Sequence, residues 1–403
     1  MNLKKMIKSM LALILVASLA ACSPSTSSTG TTEQGETDTP AAEGQETYKI
    51  GLHYELTGAV ADYGVAENKG SKLAIKLANE AAGYEKYVGV EYDNKSDSSE
   101  AVTIATTLAS EGVIGVVGPA TSGASAATYQ ISNDSQVIVV SPSATQNNIT
   151  LVDPNNADSD VYEYIFRVCF EDSYQGAAMA QYATDTLAAS KAVIYGDSAS
   201  DYSKGLIEAF DTQFTKLGGE IVATEYYTAG DTDFSAVLTN INSMEFDVLY
   251  IAGYYNEAGL IIKQAKEMGI DKVILGADGF DSESLIELAG AENLNDVYYT
   301  TAYTAVDASE KLQAFIDAYK VEYNEEPAMF AALAFDATNL LIQAVEEVGS
   351  ADAAALQAAV KGINFNGVTG DFTFDDTHTP IKSVLVVKLV DGVQSSADSV
   401  SPQ

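Results

Sequence analysis

The chain has 403 residues, of which 21 are lysine or arginine and 57 are aspartate or glutamate, so its formal net charge is −36. Nucleic acid and anionic lipid would repel such an acidic chain, and nucleic-acid binding is therefore not expected. The length exceeds what one small hydrophobic core can use, and it predicts two domains.

The first 22 residues predict export and attachment to a membrane. Three lysines precede the apolar stretch Met10–Leu19, which has the length of a signal-peptide core and is too short to span a bilayer. The segment Leu19-Ala20-Ala21-Cys22 resembles a bacterial lipoprotein box, in which the cysteine is acylated. We therefore expect residues 1–21 to be a signal peptide and lipidated Cys22 to anchor the protein outside the cytoplasm, on the bacterial cell membrane. The alternative is an ordinary secretory signal with a chance cysteine.

Residues 22–46 are predicted to form a flexible tether. They are rich in Ser, Thr, Gly, Glu, Gln and Pro and show no apolar periodicity, so they cannot bury enough surface to fold. Loss of residues 1–21 removes three lysines and no acid, which brings the net charge to −39. With Cys22 lipidated, Cys169 has no partner for a disulfide, and its apolar surroundings predict a packing role.

From residue 48 onward, short β-branched runs alternate with segments of helical periodicity. The predicted strands are Tyr48–His53, Val88–Tyr92, Val113–Val117, Val137–Val140, Ala192–Tyr195, Glu220–Glu225, Val248–Ile251 and Val273–Leu275. The predicted helices are Lys69–Ala82, Glu100–Ser110, Ser122–Asp134, Tyr174–Ala188, Tyr202–Lys216, Phe234–Ser243, Glu257–Met268 and Ser282–Leu288. This alternation is typical of right-handed βαβ units and parallel sheets, so we expect an α/β fold.

The alternation runs in two series, which predicts two similar Rossmann-like lobes. After Thr300 the pattern changes to the helices Ser309–Tyr323, Met329–Val348 and Asp352–Val360 and the strand Ser383–Leu389. We expect the helices to return to the first lobe and the strand to the second, which makes three chain crossings that act as a three-stranded hinge. Lobe 1 would then comprise residues 47–168 and 302–378, and lobe 2 residues 169–301 and 379–403.

Residues that follow the predicted strands are candidates for a ligand site, because ligands of open parallel sheets bind beyond the carboxyl ends of the strands. Ser122 follows the third strand, where hydroxyl groups and helix N–H groups suit a carboxylate, although a plain helix N-cap would also explain it. Ser143 and Thr145 lie in the loop after the fourth strand, which would offer a carbonyl and a hydroxyl to the two charges of a zwitterion, although a plain turn would also explain this loop. Asp278 follows the eighth strand, where it would meet an ammonium group or cap a turn.

Three tyrosines are predicted in comparable loops, Tyr63, Tyr202 and Tyr254, and tyrosine gives a solute cleft wide apolar contact with one polar group. Catalytic signals are weak by contrast. The only histidines, His53 and His378, have no metal-ligand spacing, and the chain has neither a G-x-S-x-G nor a P-loop motif. We therefore expect no catalysis, no resident metal and no cofactor.

Five segments, in this order, resemble the branched-chain amino-acid-binding protein family. They are Thr57-Gly58…Tyr63-Gly64, Gly118…Ser122, Ser141-Pro142-Ser143-Ala144-Thr145, Arg167…Asp172…Gln175-Gly176 and Tyr250-Ile251-Ala252-Gly253-Tyr254. The resemblance extends from Tyr48 to about Val390. It implies the type I periplasmic-binding-protein fold and a monomeric substrate-binding lipoprotein that serves the permease of an ABC importer.

The resemblance also implies roles for individual residues. Ser122 and Thr145 match positions that hold the ligand carboxylate, while the Ser143 carbonyl and the Asp278 carboxylate match positions that hold the ammonium. The positions that surround the ligand side chain or act as a lid match Tyr63, Tyr202, Tyr254 and Phe330. Binders of aliphatic ligands in this family have glutamate where Asp278 stands, one methylene longer.

We therefore expect the ligand to be an amino acid, branched-chain or related. An amide, urea or an aromatic acid remains an alternative ligand. Two related alternatives concern signalling. A sensory receptor domain of the same fold would be expected to continue into a membrane span, whereas this sequence ends at Gln403. A lipoprotein that presents its ligand to a separate sensor is the other.

Overall fold

The computed structural model describes residues 46–402 of the chain. The predicted signal peptide, Cys22 and the predicted tether up to residue 45 lie outside these residues. Two large β-sheets with helices packed against them account for most of the described part.

The first sheet has five strands, all parallel, in the spatial order β2-β1-β3-β4-β5. They are β1 (Tyr48–Tyr54), β2 (Tyr87–Asp93), β3 (Gly115–Val117), β4 (Val139–Ser141) and β5 (Ile165–Arg167). Strand β1 has a neighbour on each side and is buried except at Lys49, as expected for an inner strand of a parallel sheet. Strand β5 was not predicted.

Three helices connect these strands. They are α1 (Ala61–Ala82), α2 (Ser98–Ser110) and α3 (Ser122–Asp134). Asp97 caps α2 by accepting hydrogen bonds from the N–H groups of Ser99 and Glu100, and Gly83 ends α1 in a left-handed conformation. Helix α1 begins eight residues before the predicted start at Lys69, which moves its first two turns to the edge where the strands end.

The second sheet begins with five further parallel strands. They are β6 (Lys191–Asp197), β7 (Glu220–Tyr227), β8 (Val248–Ala252), β9 (Val273–Gly276) and β10 (Val297–Thr301). The helices of this part are α4 (Asp172–Asp185), α5 (Asp201–Lys216), α6 (Ser235–Asn242), α7 (Tyr255–Glu267) and α8 (Glu283–Ala289). Strand β10 was not predicted.

The remaining chain packs a helix against the first sheet and adds two strands to the second. Its elements are α9 (Glu310–Tyr323), α10 (Met329–Val348), α11 (Ala353–Lys361), the small hairpin β11 (Phe365–Gly367) and β12 (Gly370–Phe372), then β13 (Val384–Val390) and β14 (Val393–Val400). Strands β13 and β14 join the second sheet next to β10, and both pair antiparallel. The second sheet is therefore mixed, with five strands that are parallel, as predicted, and two antiparallel strands at one edge, in the order β14-β13-β10-β9-β8-β6-β7.

Helix α10 belongs to the protein core. By length and composition it is the one helix among residues 46–402 that could cross a membrane, but 78% of its apolar window is buried inside the protein. It packs against α1 and against β3 and β4 of the first sheet. The approach to α1 is close, because a Cβ atom on Gly70 would lie 2.0 Å from the carbonyl oxygen of Ala331.

The chain passes between the two sheets three times: after β5, after β10 and between β12 and β13. The predicted lobe boundaries near these connections stay predictions. Cys169, just after β5, is fully buried, and burial raises the pKa of its thiol to about 12, which fits the predicted packing role.

Candidate functional site

One cavity brings together all eight predicted site residues, although they come from distant parts of the chain. Its lining consists of Tyr63, Ser122, Ser143, Thr145, Tyr202, Tyr254, Asp278 and Phe330, together with Ala120, Thr121 and Gly279. The cavity encloses a volume of about 240 Å³. The Tyr63 hydroxyl bonds across it to the Gly279 carbonyl oxygen, which is the geometry of a closed cleft.

One wall presents two hydroxyl groups with spare hydrogen-bonding capacity. The Ser122 hydroxyl accepts a hydrogen bond from the Gln146 N–H at 3.2 Å, so its own hydrogen remains available. The Thr145 hydroxyl is buried near the Asp172 carboxyl, whose pKa it lowers, but it makes no hydrogen bond of ordinary geometry among the described residues. The N-cap of α3 is Thr121, whose hydroxyl accepts from the Ala124 N–H, so the N-cap interpretation of Ser122 is wrong. Ser122 is the first residue of α3, where backbone N–H groups have no partner within the helix.

The opposite wall presents the carboxyl group of Asp278. Its Oδ1 accepts hydrogen bonds from the Tyr202 hydroxyl at 2.7 Å and from the Gln175 side-chain amide at 2.8 Å. A carboxylate has about four acceptor positions, so capacity for a further donor remains. Burial raises the pKa of Asp278 to about 6, while these hydrogen bonds act in the opposite direction.

Ser143 is held by an acid that sequence reasoning did not single out. Its hydroxyl lies 2.5 Å from Glu67 Oε1 and 2.8 Å from the Ala120 carbonyl oxygen. A hydroxyl has one hydrogen, so it cannot donate to both acceptors at once. The arrangement is satisfied if Glu67 is protonated and donates to Ser143, which in turn donates to Ala120. Consistently, burial raises the pKa of Glu67 well above its usual range.

Of the three tyrosines predicted in loops, Tyr254 lies in one, Tyr202 lies at the start of its predicted helix, and Tyr63 lies within a helix. Tyr63 is in the first turn of α1, Tyr202 is in the first turn of α5, and Tyr254 directly precedes α7. The Tyr202 and Tyr254 rings stack with their centroids 5.0 Å apart, and Tyr63 packs against Phe330 at 4.3 Å. The rings form an aromatic cover over the space between Ser122 and Asp278.

Several hydrogen bonds close the cleft beside the cavity; we call this group the latch. The Tyr63 hydroxyl donates to the Gly279 carbonyl oxygen at 2.6 Å, and the Ser282 hydroxyl donates to Asp62 at 2.6 Å. The Tyr255 hydroxyl donates to the Ala59 carbonyl oxygen at 3.2 Å. Except for Tyr63 and Gly279, these residues do not line the cavity, so the latch forms largely without ligand contact.

A second acid lies behind Asp278. The Gln175 amide donates both to Asp278 and to Asp172 Oδ1, the latter at 3.0 Å, while Asp172 Oδ2 has no partner among the described residues. Burial, and then the neighbouring charge of Asp278, raises the pKa of Asp172 well above its usual range. Asp172 and Gln175 were recognised in the sequence only as part of a family segment.

Arg167 connects the site to two of the chain crossings. Its guanidinium donates to the Gln146 carbonyl oxygen at 2.8 Å, to the Thr379 hydroxyl at 2.9 and 3.0 Å, and forms an ion pair with Glu171. It also donates to the Ala144 carbonyl oxygen at 3.2 Å. The side chain is fully buried, so it holds the segment around Thr145 against both crossings.

Both histidines pack in the core. His53 is buried on β1, and burial lowers its pKa to about 3, so it is neutral. His378 forms a hydrogen bond with the Ile165 carbonyl oxygen and stacks on Phe166 with centroids 4.2 Å apart. Within the described part of the chain, no group of three or more His, Cys, Asp or Glu side chains is arranged to hold a metal ion.

Comparison with known proteins agrees with this geometry. A family model described as periplasmic binding protein matches residues 47–394. The leucine-, isoleucine-, valine-, threonine- and alanine-binding protein of Pseudomonas aeruginosa is 28% identical over 333 residues, which cover 82% of this chain and 86% of that protein.

Solved structures give the same result. LivJ, the branched-chain amino acid transporter substrate binding protein of Streptococcus pneumoniae, in complex with isoleucine, matches with a TM-score of 0.83 and 40% identity, covering 89% of this chain and 100% of LivJ. The leucine binding protein LivK of Thermotoga maritima matches with a TM-score of 0.81 and 33% identity, covering 88% and 99%. The chain thus belongs to the periplasmic binding protein family, with the type I fold, as an extracytoplasmic solute-binding protein of an ABC transporter and not an enzyme.

Proposed function

We propose that the protein captures an α-amino acid, branched-chain or related, between its two sheets and delivers it to the permease of an ABC importer. The observation that carries the proposal is that hydroxyl groups and a carboxylate face each other across one cavity. Ser122 and Thr145 offer hydroxyl hydrogens on one wall, and Asp278 offers a carboxylate on the other. A zwitterion satisfies both walls at once, with its carboxylate toward the hydroxyl groups and its ammonium toward Asp278.

The charges around the cavity favour an amino acid over an aromatic acid. No lysine or arginine is among the lining residues, and Asp278 is the one acid among them. A carboxylate ligand without an ammonium would leave Asp278 facing a second negative charge in a water-poor space, which is unfavourable. The aromatic cover of Tyr63, Tyr254 and Phe330 suits an apolar ligand side chain.

The relatives support the same ligand class. The pneumococcal structure contains isoleucine, and the Pseudomonas relative is named for five amino acids. We further propose that the protein moves as two lobes and that the latch forms as they close. Lobe 1 comprises residues 47–168 and 302–378, and lobe 2 comprises residues 169–301 and 379–403. Lipidated Cys22 would keep the protein at the membrane, next to the permease.

Calorimetric titration of residues 47–403 against the twenty amino acids tests the proposal, after unfolding and refolding to remove carried-over ligand. We expect saturable binding of a few apolar amino acids and its loss in the double variant S122A/T145A. Thr106→Ala, which removes an exposed threonine hydroxyl on α2, is the matched control and should bind normally. Binding of benzoate or an amide, with silence across the amino acids, would contradict the proposal.

Amino-acid binding should weaken below about pH 6. The ammonium needs an ionised Asp278, whose pKa burial raises to about 6, so affinity should fall up to tenfold for each pH unit below that value. Folding stability should respond in the opposite sense. An acid whose pKa is higher in the folded than in the unfolded protein stabilises the fold when protonated, so this contribution is lost as pH rises through 6.

Thermal unfolding with and without ligand between pH 5 and pH 8 measures both effects. The ligand-induced rise in Tm should shrink toward pH 5. The Tm of the ligand-free protein should increase from pH 8 to pH 5. This increase should be smaller in Asp278→Asn, whose side chain cannot titrate. A ligand-induced rise in Tm that is equally large at pH 5 and pH 8 would show that Asp278 does not hold the ammonium.

A substitution that removes a hydrogen bond of the latch should weaken ligand binding, although the substituted residue does not line the cavity. Asp62→Ala removes the hydrogen bond to Ser282, and a typical hydrogen bond contributes about 0.5–1.5 kcal/mol, so the closed state and the affinity should fall about 2- to 12-fold. Since Asp62 and Ser282 bond to each other, the losses of affinity in D62A and S282A should be less than additive in D62A/S282A, although S282A also removes the N-cap of α8. Titration calorimetry measures the affinities, and fully additive losses would mean that the two residues act separately.

A further inference from the structure

Glu55 is a buried acid that lies directly behind the wall formed by Ser122. It follows the last residue of β1, and β1 pairs with β3, so Glu55 lies next to the loop that follows β3. Its Oε2 accepts a hydrogen bond from the Ala120 N–H at 3.0 Å. Its Oε1 accepts from the Thr121 N–H at 3.1 Å and from the Thr121 hydroxyl at 2.8 Å.

These contacts are those of a carboxylate and not of a carboxylic acid. Two of the three partners are backbone N–H groups, which can only donate. The third, the Thr121 hydroxyl, already accepts from the Ala124 N–H and so has its hydrogen free for Glu55. Both oxygens of Glu55 therefore act as acceptors. Burial raises the pKa of Glu55 above its usual value, and the hydrogen bonds from Thr121 and Ala120 act in the opposite direction.

Close backbone packing fixes Glu55 in this position. Gly118 has a φ of +104°, and a Cβ atom there would lie 2.0 Å from the His53 carbonyl oxygen. A Cβ atom on Gly64 would lie 2.4 Å from the carbonyl oxygen of Glu55 itself. Only glycine fits at either position, so the loop after β3 and the start of α1 enclose the acid from two sides.

The carboxylate changes what the loop can offer to a ligand. Ala120 and Thr121 line the cavity, but their N–H groups are already bonded to Glu55. The helix start at Ser122 therefore receives an anion from within the protein before any ligand arrives. No lysine or arginine lines the cavity to balance this charge.

We propose that Glu55 is a specificity-determining residue that makes the site reject carboxylates lacking an ammonium group. The proposal rests on the function proposed above and defines its ligand class more narrowly. An amino acid is neutral overall, and its ammonium offsets the buried acids on both walls. The 2-oxo acid with the same carbon skeleton keeps the carboxylate and loses the cation, so it meets Glu55 and Asp278 uncompensated.

The test compares leucine with 4-methyl-2-oxopentanoate, its 2-oxo acid, by titration calorimetry of residues 47–403. Glu55→Gln keeps the shape and removes the charge. In E55Q the dissociation constant of the oxo acid divided by that of leucine should be at least tenfold lower than in the wild-type protein, a difference of about 1.4 kcal/mol. Glu100→Gln makes the same change in net charge on the exposed side of α2 and should leave the ratio unaltered. Glu55→Asp, which keeps the charge, should also preserve the ratio.

An E55Q variant that folds, binds leucine and keeps the wild-type ratio would overturn the proposal. If E55Q does not fold, Asp278→Asn provides a second measurement, since Glu55 is then the acid beside the cavity that has the contacts of a carboxylate, whereas burial raises the pKa of Asp172 and of Glu67 well above their usual range. The oxo acid should still bind at least tenfold more weakly than leucine, and equal affinities would overturn the proposal. If wild-type protein binds no amino acid, the proposed function itself fails, which is a distinguishable result.

Discussion

Replacing Asp278 with alanine should weaken the binding of an α-amino acid by about 30-fold to about 4000-fold. The range corresponds to the ~2–5 kcal/mol lost when one partner of a buried, hydrogen-bonded charge pair is removed. Asp278 is buried in the cavity wall, and no other acid lines the cavity to replace it. Because this residue belongs to the wall opposite Ser122, the loss should appear mainly as faster ligand dissociation.

Two further variants separate charge from shape in that experiment. Asp278→Asn keeps the hydrogen-bonding partners Tyr202 and Gln175 within reach but removes the charge, and it should lose most of the same affinity. Asp271→Ala removes an exposed acid from the same half of the molecule and should bind like wild type. Near-native affinity in D278A would refute the assignment of Asp278 to the ammonium.

Arg167→Met should lower the free energy of unfolding by at most about 3–5 kcal/mol, the usual loss when a fully buried ion pair loses one partner, because Glu171 of this pair is partly exposed. The arginine is fully buried, and its removal leaves Glu171 without its cation. The carbonyl oxygens of Ala144 and Gln146 would lose their donor as well. Because these carbonyls flank Thr145, the variant should also bind ligand more weakly.

Urea unfolding followed by circular dichroism measures the first effect, with the slope of the transition checked for two-state behaviour. Lys95→Met serves as the matched control, since Lys95 forms an exposed ion pair with Glu100 and should leave stability almost unchanged. Equal stability of R167M and K95M would mean that the buried guanidinium network contributes nothing to holding the crossings.

The sequence predicted most of the fold because buried parallel strands and amphipathic helices have strong patterns. The helices Ser122–Asp134 and Met329–Val348 have the bounds that were predicted. The missed strands have weaker signals. Strand β5 has three residues, and β14 is an edge strand with the sequence VQSSADSV, whose mostly exposed side chains give no apolar run. Its antiparallel pairing with β13 depends on contacts distant in sequence.

Most of the cavity-lining residues were also predicted, because they follow strands that the sequence pattern identifies. Inspection of the residues after each predicted strand found Ser122, Ser143, Thr145 and Asp278, and the structure gathers them around one cavity. Asp172 follows β5, which was not predicted, so the rule was never applied to it. Glu55 follows β1 and satisfies the same rule, but its role depends on the hydrogen bonds it accepts from the neighbouring loop, and these require coordinates.

The position of α10 has a consequence for how the protein must fold. This helix covers β3 and β4 and packs on α1, yet it follows all five parallel strands of the second sheet in the chain. Because synthesis begins at the N-terminus, all five strands of the first sheet are made about 160 residues before α10, the helix that covers one of the sheet's apolar faces. Contacts of such long sequence separation slow folding and prolong the exposure of apolar surface. We therefore expect a fragment ending at β10 to aggregate, and the rate-limiting step of refolding to be the docking of α10.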